Sequence, residues 1–432
     1  MPTPMIASKK GALHGTITVP GDKSISHRAL IFGALAKGVT TVQGMLEADD
    51  VLRTAAALRA LGASIEKEGE VWHITGAPWQ SPSQGLYAGN SGTGVRLLMG
   101  AVAGQGVAAH FDGDRSLRSR PMGRILDPLA EMGAVAIAEG GRLPVTMKDA
   151  DLKAIHYTLP KPSAQIKSAI MLAALGAEGT TAIDEPIPSR DHTERMLPAF
   201  GVPLDIDESG NCRRLSLKGP VTLTATSLSV PADPSSAAFP VAAALIVPGS
   251  EVKVTGVLTN PFRIGLYETL KEMGAQIELQ NTQVQGGEPV ADLHVKQGAL
   301  KGVTVPAARA PSMIDEYPIL AVVAAFAKGT TRMEGLGELR VKESDRLDAT
   351  AALLTANGVT CRTGEDWLEV DGMEIVSGGG HVKTHDDHRI AMSALVMGAA
   401  SERPVEIDDS EMIATSFTGF VQLMQALGME LK

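Results

Sequence analysis

Aromatic residues make up only 3% of this 432-residue chain, and it has just two cysteines, Cys212 and Cys361. The cysteines lie far apart and outside any C-x-x-C pattern, so they suggest neither a disulfide framework nor a zinc site; a reducing compartment is expected. No segment reaches the ~18 apolar residues a membrane helix needs, and the opening M-P-T-P-M-I-A-S-K-K-G lacks a continuous apolar region. A cytoplasmic, unanchored chain, mature from Met1 or Pro2, is expected. Positive charge is also short: 39 Lys and Arg against 49 Asp and Glu leave a net charge of −10, which argues against a general binder of nucleic acid or anionic membrane. Any anion site must therefore be a local cluster. At 432 residues the chain is too long for one ordinary core and suits two or three domains with a large interior.

What is present is a sixfold repeat. Leucine, a turn of helix and then glycine recur at Gly62, Gly133, Gly201, Gly274, Gly358 and Gly428, spaced by 71, 68, 73, 84 and 70 residues. Each reads as a helix stopped by a glycine in the left-handed conformation and continued as a strand. Each repeat also holds a second helix, rich in alanine and apolar nearly all round: residues 28–36, 95–103, 166–174, 236–247, 317–327 and 389–399. A helix without a polar face has to be buried on all sides, so helices inside and sheets outside are expected. A longer echo, V-P-G-D-K-S at Val19 and V-P-A-D-P-S at Val230, divides the chain into two sets of three repeats. It places domain crossings near Pro20 and Pro231 and predicts that residues 1–20 pair with the second half.

Small polar or charged residues mark the start of every buried helix: Lys23-Ser24, Asn90-Ser91-Gly92-Thr93, Ser163-Ala164-Gln165, Ser235-Ser236, Ser312 to Asp315, and Asp387-His388-Arg389. Capping accounts for Ser, Asn and Asp there. It does not account for Lys23, Gln165, His388 or Arg389, because a helix start carries about half a positive charge and repels a further cation. Cations at such places imply a bound anion, with Lys23 and Arg28 as phosphate or carboxylate ligands. Arg118, Arg120, Arg190, Lys342 and Arg346 lie in loops the repeat brings to the same end; taken singly, each reads more readily as a surface ion pair than as a ligand. For acid/base work the candidates are Asp315, placed in the first turn of its helix, and Glu343, bracketed by Lys342 and Arg346. Burial and neighbouring cations push a carboxyl pKa in opposite directions. The stretch ending G-D-K-S at Ser24 is not a P-loop, because Asp22 interrupts the pattern. The run from His381 to Arg389 has metal-ligand residue types but reads equally as a loop and cap, and no metal is expected.

Eight motifs in order, P-G-D-K-S-x-S-x-R-A, G-N-S-G-T-G-x-R, R-P-M-G-R, P-S-A-Q-I-K-S, S-R-D-H-T-E, I-D-E-Y-P, R-V-K-E-S-D-R and D-H-R-I-A-M, resemble the 5-enolpyruvylshikimate-3-phosphate synthase family over essentially the whole chain. The resemblance implies an α/β fold of the inverse α/β barrel type, in two domains of three βαβαββ units: 1–20 with 232–432, and 21–231. It implies enolpyruvyl transfer from phosphoenolpyruvate to the 5-hydroxyl of shikimate 3-phosphate, on the route to chorismate and the aromatic amino acids, by a glyphosate target. Lys23, Ser24, Arg28, Ser163, Ala164, Gln165, Arg190, Asp315 and Lys342 would hold shikimate 3-phosphate. Lys23, Asn90, Gly92, Arg120, Gln165, Arg346 and Arg389 would hold phosphoenolpyruvate. Glu343 is the implied acid and Asp315 the base, with Lys23 assisting. No cofactor is implied, and the partners are the two small substrates alone, for a monomer.

Departures point to the family's divergent second class. Ala164 stands where the family often has a second serine, and Thr415-Ser416-Phe417 lacks the lysine that often precedes T-F. Some relatives that resist glyphosate carry alanine at the place of Gly92, so sensitivity is left to inhibition measured against phosphoenolpyruvate. The UDP-N-acetylglucosamine enolpyruvyl transferases share the repeat, but they usually bear a cysteine shortly before R-P, and Ser116 to Ser119 has none. A catalytically silent phosphometabolite binder is the alternative of another class.

Overall fold

The structure, a computed structural model, describes residues 2–210 and 212–432. The six repeat glycines all adopt positive φ, from 77° at Gly201 to 117° at Gly62, as a left-handed helix stop requires. The six buried helices are α1 (Lys23–Leu35), α2 (Gly92–Gly104), α3 (Ala164–Ala174), α4 (Pro234–Ile246), α5 (Tyr317–Ala325) and α6 (His388–Ala400). Every residue of α4 and α5 is buried. Their alanine and glycine content follows from close packing. A Cβ on Gly100 of α2 would stand 2.3 Å from the Ala169 carbonyl oxygen of α3, which leaves room for hydrogen alone.

Among the described residues are six four-stranded sheets with one shared plan. Strand Ser227–Ser229 runs parallel to Val39–Gln43, which pairs antiparallel with Val71–Thr75, and that strand antiparallel with Ser64–Glu68. Alternation buries Val42, Trp72 and Ile74 against helices and leaves the other face wet. Here Ile74 is the wall that Gly33 of α1 packs on; a Cβ there would approach its Cγ2 to 2.9 Å.

The chain forms two compact units. One comprises Met1–Pro20, Pro231–Val284 and Pro289–Lys432; the other comprises Gly21–Val230 and Gln285–Glu288. In the discontinuous unit, Met5–Ser8 lies between Val405–Ile407 and Glu430–Leu431, and His14–Ile17 runs parallel to Glu251–Leu258. Its core joins Ala7, Phe239, Leu320, Ile390 and Phe417. In the other unit α1, α2 and α3 share an interior in which Phe32 meets Phe200 edge to face at 5.5 Å. No helix is long and apolar enough to cross a membrane among the described residues.

Candidate active site

Side-chain caps start five of the six buried helices: Asp22 on Ile25, Ser91 on Gly94, Ser163 on Ile166, Asp233 on Ser235 and Asp387 on Arg389. The sixth, α5, follows Glu316 and has no such cap. Asp315 was expected in the first turn of that helix, but it lies in the turn before it. Pro318 is the reason: it has no N–H to give the Ile314 carbonyl, so the helical ladder cannot extend back to Asp315.

In the unit holding α1 to α3, Lys23 Nζ lies 2.9 Å from Asp50 Oδ2. Arg28 is 3% exposed and uses three of its five guanidinium N–H donors internally: Nε on Thr193 Oγ1 at 2.7 Å, Nη1 on the Ser24 carbonyl at 2.9 Å, Nη2 on Ser168 Oγ at 2.7 Å. Burial draws its pKa down to about 10, against the pull of Glu194 and Asp22, so it stays charged at neutral pH. The Ser24 side of α1 is thus tied to the helix His192–Met196, beside Arg190. Burial, reinforced by Lys23 and Arg28, depresses His27 from 6.5 to about 3. The neutral ring pairs with Thr54 Oγ1 at 2.9 Å and with Ser91 Oγ at 3.4 Å, next to the α2 start.

At that start Arg120 contacts Asn90 twice, donating from Nη2 to Oδ1 in a short bond and from Nη1 to the carbonyl at 3.3 Å. Asn90 Nδ2 in turn holds Asp114 Oδ2 at 2.8 Å. Arg96 joins α2 to α3: its Nη1 donates to Gln165 Oε1 at 3.0 Å, while Gln165 Nε2 donates to Thr93 Oγ1 at 3.0 Å. A Cβ on Gly92 would come within 3.0 Å of both Arg120 Nη1 and Arg96 Nη1. Ser163 and Ala164 open α3 alongside. Lys23, Arg28, Asn90, Gly92 and Gln165 thus lie at the starts of three buried helices, with Arg120 and Arg190 on two separate loops.

In the discontinuous unit the centre is Arg346, 1% exposed. Its Nε lies 2.8 Å from Asp387 Oδ2, its Nη2 2.6 Å from Glu343 Oε2, and its Nη1 3.3 Å from Asp315 Oδ1. Burial opposes its charge, but Asp387, Glu343 and Asp315 together raise its pKa. Burial likewise opposes the charge of Asp387, yet Arg346 keeps its pKa below the usual carboxylate value. Lys342 Nζ completes the group, 3.2 Å from Asp315 Oδ1. Asp315 and Glu343, both partly exposed, therefore share one guanidinium oriented from behind by a buried carboxylate. Arg389, in the first turn of α6, has its backbone N–H on Asp387 Oδ1 at 3.0 Å. Thr415 turns its hydroxyl to the Met412 carbonyl at 2.7 Å and brings no charge where the family often has lysine.

The family model described as EPSP synthase (3-phosphoshikimate 1-carboxyvinyltransferase) matches residues 7–424. The chain belongs to the EPSP synthase family. Relatives named 3-phosphoshikimate 1-carboxyvinyltransferase include one from Rhodopseudomonas palustris strain TIE-1, 58% identical over 99% of this chain and 98% of its own length. Another, from Phenylobacterium zucineum, is 55% identical over 98% of this chain and 95% of its own. A solved EPSP synthase structure from Acinetobacter baumannii has a TM-score of 0.86 at 43% identity and covers 99% of each chain. The two-domain α/β architecture is that of this family.

For this EPSP synthase family chain, sequence reasoning missed the residues that hold its ligand candidates in place. Asp50, Ser168 and Thr193 lie far along the chain from the groups they orient. Arg96 had a signal, standing four residues after Gly92 on the same helical face, but only the fold reveals Gln165 as its partner.

Proposed function

We propose that this EPSP synthase family chain transfers the enolpyruvyl group of phosphoenolpyruvate to the 5-hydroxyl of shikimate 3-phosphate through the two residue sets above. The unit of α1 to α3 supplies much of the shikimate 3-phosphate contact through Ser24, Arg28, Ser163, Ala164, Gln165 and Arg190. The discontinuous unit supplies Arg346 and Arg389 for phosphoenolpyruvate, with Asp315 and Lys342 for the acceptor. Lys23, Asn90, Gly92 and Arg120 complete the phosphoenolpyruvate contacts.

The observation that carries this reading is the cluster around Arg346. Asp387, Glu343 and Asp315 face two cations, Arg346 and Lys342, so an arriving anion favours proton uptake by one of the carboxyls. Asp387, fully buried and doubly paired, remains ionised, leaving Glu343 and Asp315 to carry protons. Glu343 protonates C3 of phosphoenolpyruvate while the 5-hydroxyl adds to C2 and gives its proton to Asp315. Phosphate then leaves C2 of the tetrahedral adduct, a proton returns from C3, and the enol ether forms. The cations stabilise charge developing on the bridging and phosphate oxygens without further reorganisation. The chain acts as a cytoplasmic monomer, for which sedimentation is the measure.

The test is inorganic phosphate released from shikimate 3-phosphate plus phosphoenolpyruvate. Release with UDP-N-acetylglucosamine and not with the shikimate ester would reassign the acceptor. Binding of both substrates without release from either acceptor would make the chain a silent binder.

A further inference from the structure

Arg389 and Glu316, both in the discontinuous unit, form a pair whose geometry is unusual for a buried one. Glu316 is 3% exposed. Its Oε1 accepts a short hydrogen bond from Ser235 Oγ and stands 3.6 Å from Arg389 Nη1. Its Oε2 is buried and accepts no hydrogen bond among the described residues. The Arg389 guanidinium likewise donates none among the described residues; only its backbone N–H is engaged, on Asp387. A settled arginine–carboxylate pair closes to about 2.7–2.9 Å, often through two parallel bonds. Here the side chains stand 3.6 Å apart at Oε1 and Nη1 while Glu316 Oε2 and the guanidinium N–H groups make no hydrogen bond among the described residues, and a buried polar group left unmatched calls for an explanation.

The two partners are not equally fixed. Ser235, which donates to Glu316, also accepts from Arg263 Nη2 at 3.0 Å, and that nitrogen holds Asp233 Oδ1 at 3.0 Å. Asp233 caps α4, so Glu316 is anchored to a buried helix start through two side chains. Arg389 is the partner free to move. Glu316 also follows Asp315 directly, which puts this anchor beside the acid/base cluster.

We propose that Glu316 is a positioning residue that serves as the counter-ion of Arg389 when no substrate is bound and yields it to an anionic group of phosphoenolpyruvate. The inference rests on the reading of Arg389 as a phosphoenolpyruvate ligand. The affinity of the anion is then a difference: what Arg389 gains on the substrate less what it gives up on Glu316. A carboxylate here weakens binding of every oxyanion at Arg389, product phosphate included, and so aids its release. A group that merely supported the fold would affect both substrates alike.

The experiment compares Glu316→Gln and Arg389→Gln in the full chain, measuring KM for each substrate, kcat, and inhibition by inorganic phosphate against phosphoenolpyruvate. Glu316→Gln is expected to lower KM for phosphoenolpyruvate by about three- to tenfold and to tighten phosphate inhibition by a similar factor, the scale of one charge-assisted contact. KM for shikimate 3-phosphate should stay within about twofold. Arg389→Gln should raise KM for phosphoenolpyruvate; if it does not, the reading beneath this inference fails. If Arg389→Gln does raise it while Glu316→Gln leaves it unchanged or higher, the role of Glu316 fails and Arg389 stands. Should Glu316→Gln not fold, Glu316→Asp withdraws the carboxylate by one methylene. It should then give a smaller fall in the same KM, and an unchanged or higher value overturns the proposal.

Discussion

Lys23 and Glu343 sit at opposite ends of the charge problem this protein has to solve. Lys23 is held by Asp50 at 2.9 Å, so an anion has to compete with that carboxylate for it. Lys23→Met should abolish turnover, because a neutral side chain of similar length keeps the packing and removes the charge. Glu343→Gln should slow turnover by about 10²-fold or more while phosphoenolpyruvate binding is largely retained, since the amide keeps the shape but has no proton to give. Single-turnover rates and equilibrium binding separate the two effects. His27 makes a different prediction. Its folded pKa lies near 3 against 6.5 in the open chain, so between those values the unfolded state takes up a proton that the folded state refuses. This contribution to stability is complete above pH 6.5 and shrinks as pH falls, by about 1.4 kcal/mol per unit. Going from pH 7 to pH 5, the loss from this one group is about 2 kcal/mol. His27→Asn should flatten the acid limb by that amount, as measured by urea midpoints at the two pH values.

Among the elements, the turn before α6 carries visible strain. His385 and Asp386 both have positive φ, 54° and 57°, and the Asp387 N–H bonds to the Thr384 carbonyl at 3.0 Å. That is a two-residue turn of the type that favours Asn followed by Gly. Thr384 is pinned in turn by Asp408, which accepts from its N–H at 2.9 Å and its hydroxyl at 2.7 Å. Asp386→Gly should stabilise the chain by about 1 kcal/mol, because glycine adopts this conformation without a Cβ penalty. Chemical denaturation checks it, and a destabilised variant would show that the Asp386 side chain matters more than its backbone. At this scale the sequence was readable where the signal was local. Helix-stopping glycines, N-caps and alanine-rich helices follow from neighbours within a turn. Asp315 falls outside the first turn of α5 because Pro318 acts backwards on residues that precede it.

Across the whole molecule the chain passes between its two compact units four times, after Pro20, Val230, Val284 and Glu288. The last two passages enclose Gln285–Glu288, four residues that belong to the unit of α1 to α3. There Glu288, 1% exposed, meets His192 Nδ1 at 2.7 Å and Arg195 Nε at 3.5 Å. The helix they hold, His192–Met196, also carries Thr193, which orients Arg28. Glu288→Ala should cost about 3 kcal/mol, the scale for removing one partner of a buried pair. Denaturation should show the loss, and amide exchange should concentrate it around residues 190–196; a uniform rise in exchange would argue against a local role for this segment.

The sequence alone determined the repeat, its helix stops and caps, and the residue types that meet two small anions, because each is written within a few neighbouring positions. Tertiary structure decided which carboxylate neutralises which cation: Asp50 for Lys23, Asp387 for Arg346, Glu316 for Arg389. Those pairs are separated by 27, 41 and 73 positions, and nothing along the chain distinguishes them from other acids at similar distance. Only the packing of buried helices, which brings their starts together within a unit, chooses among them.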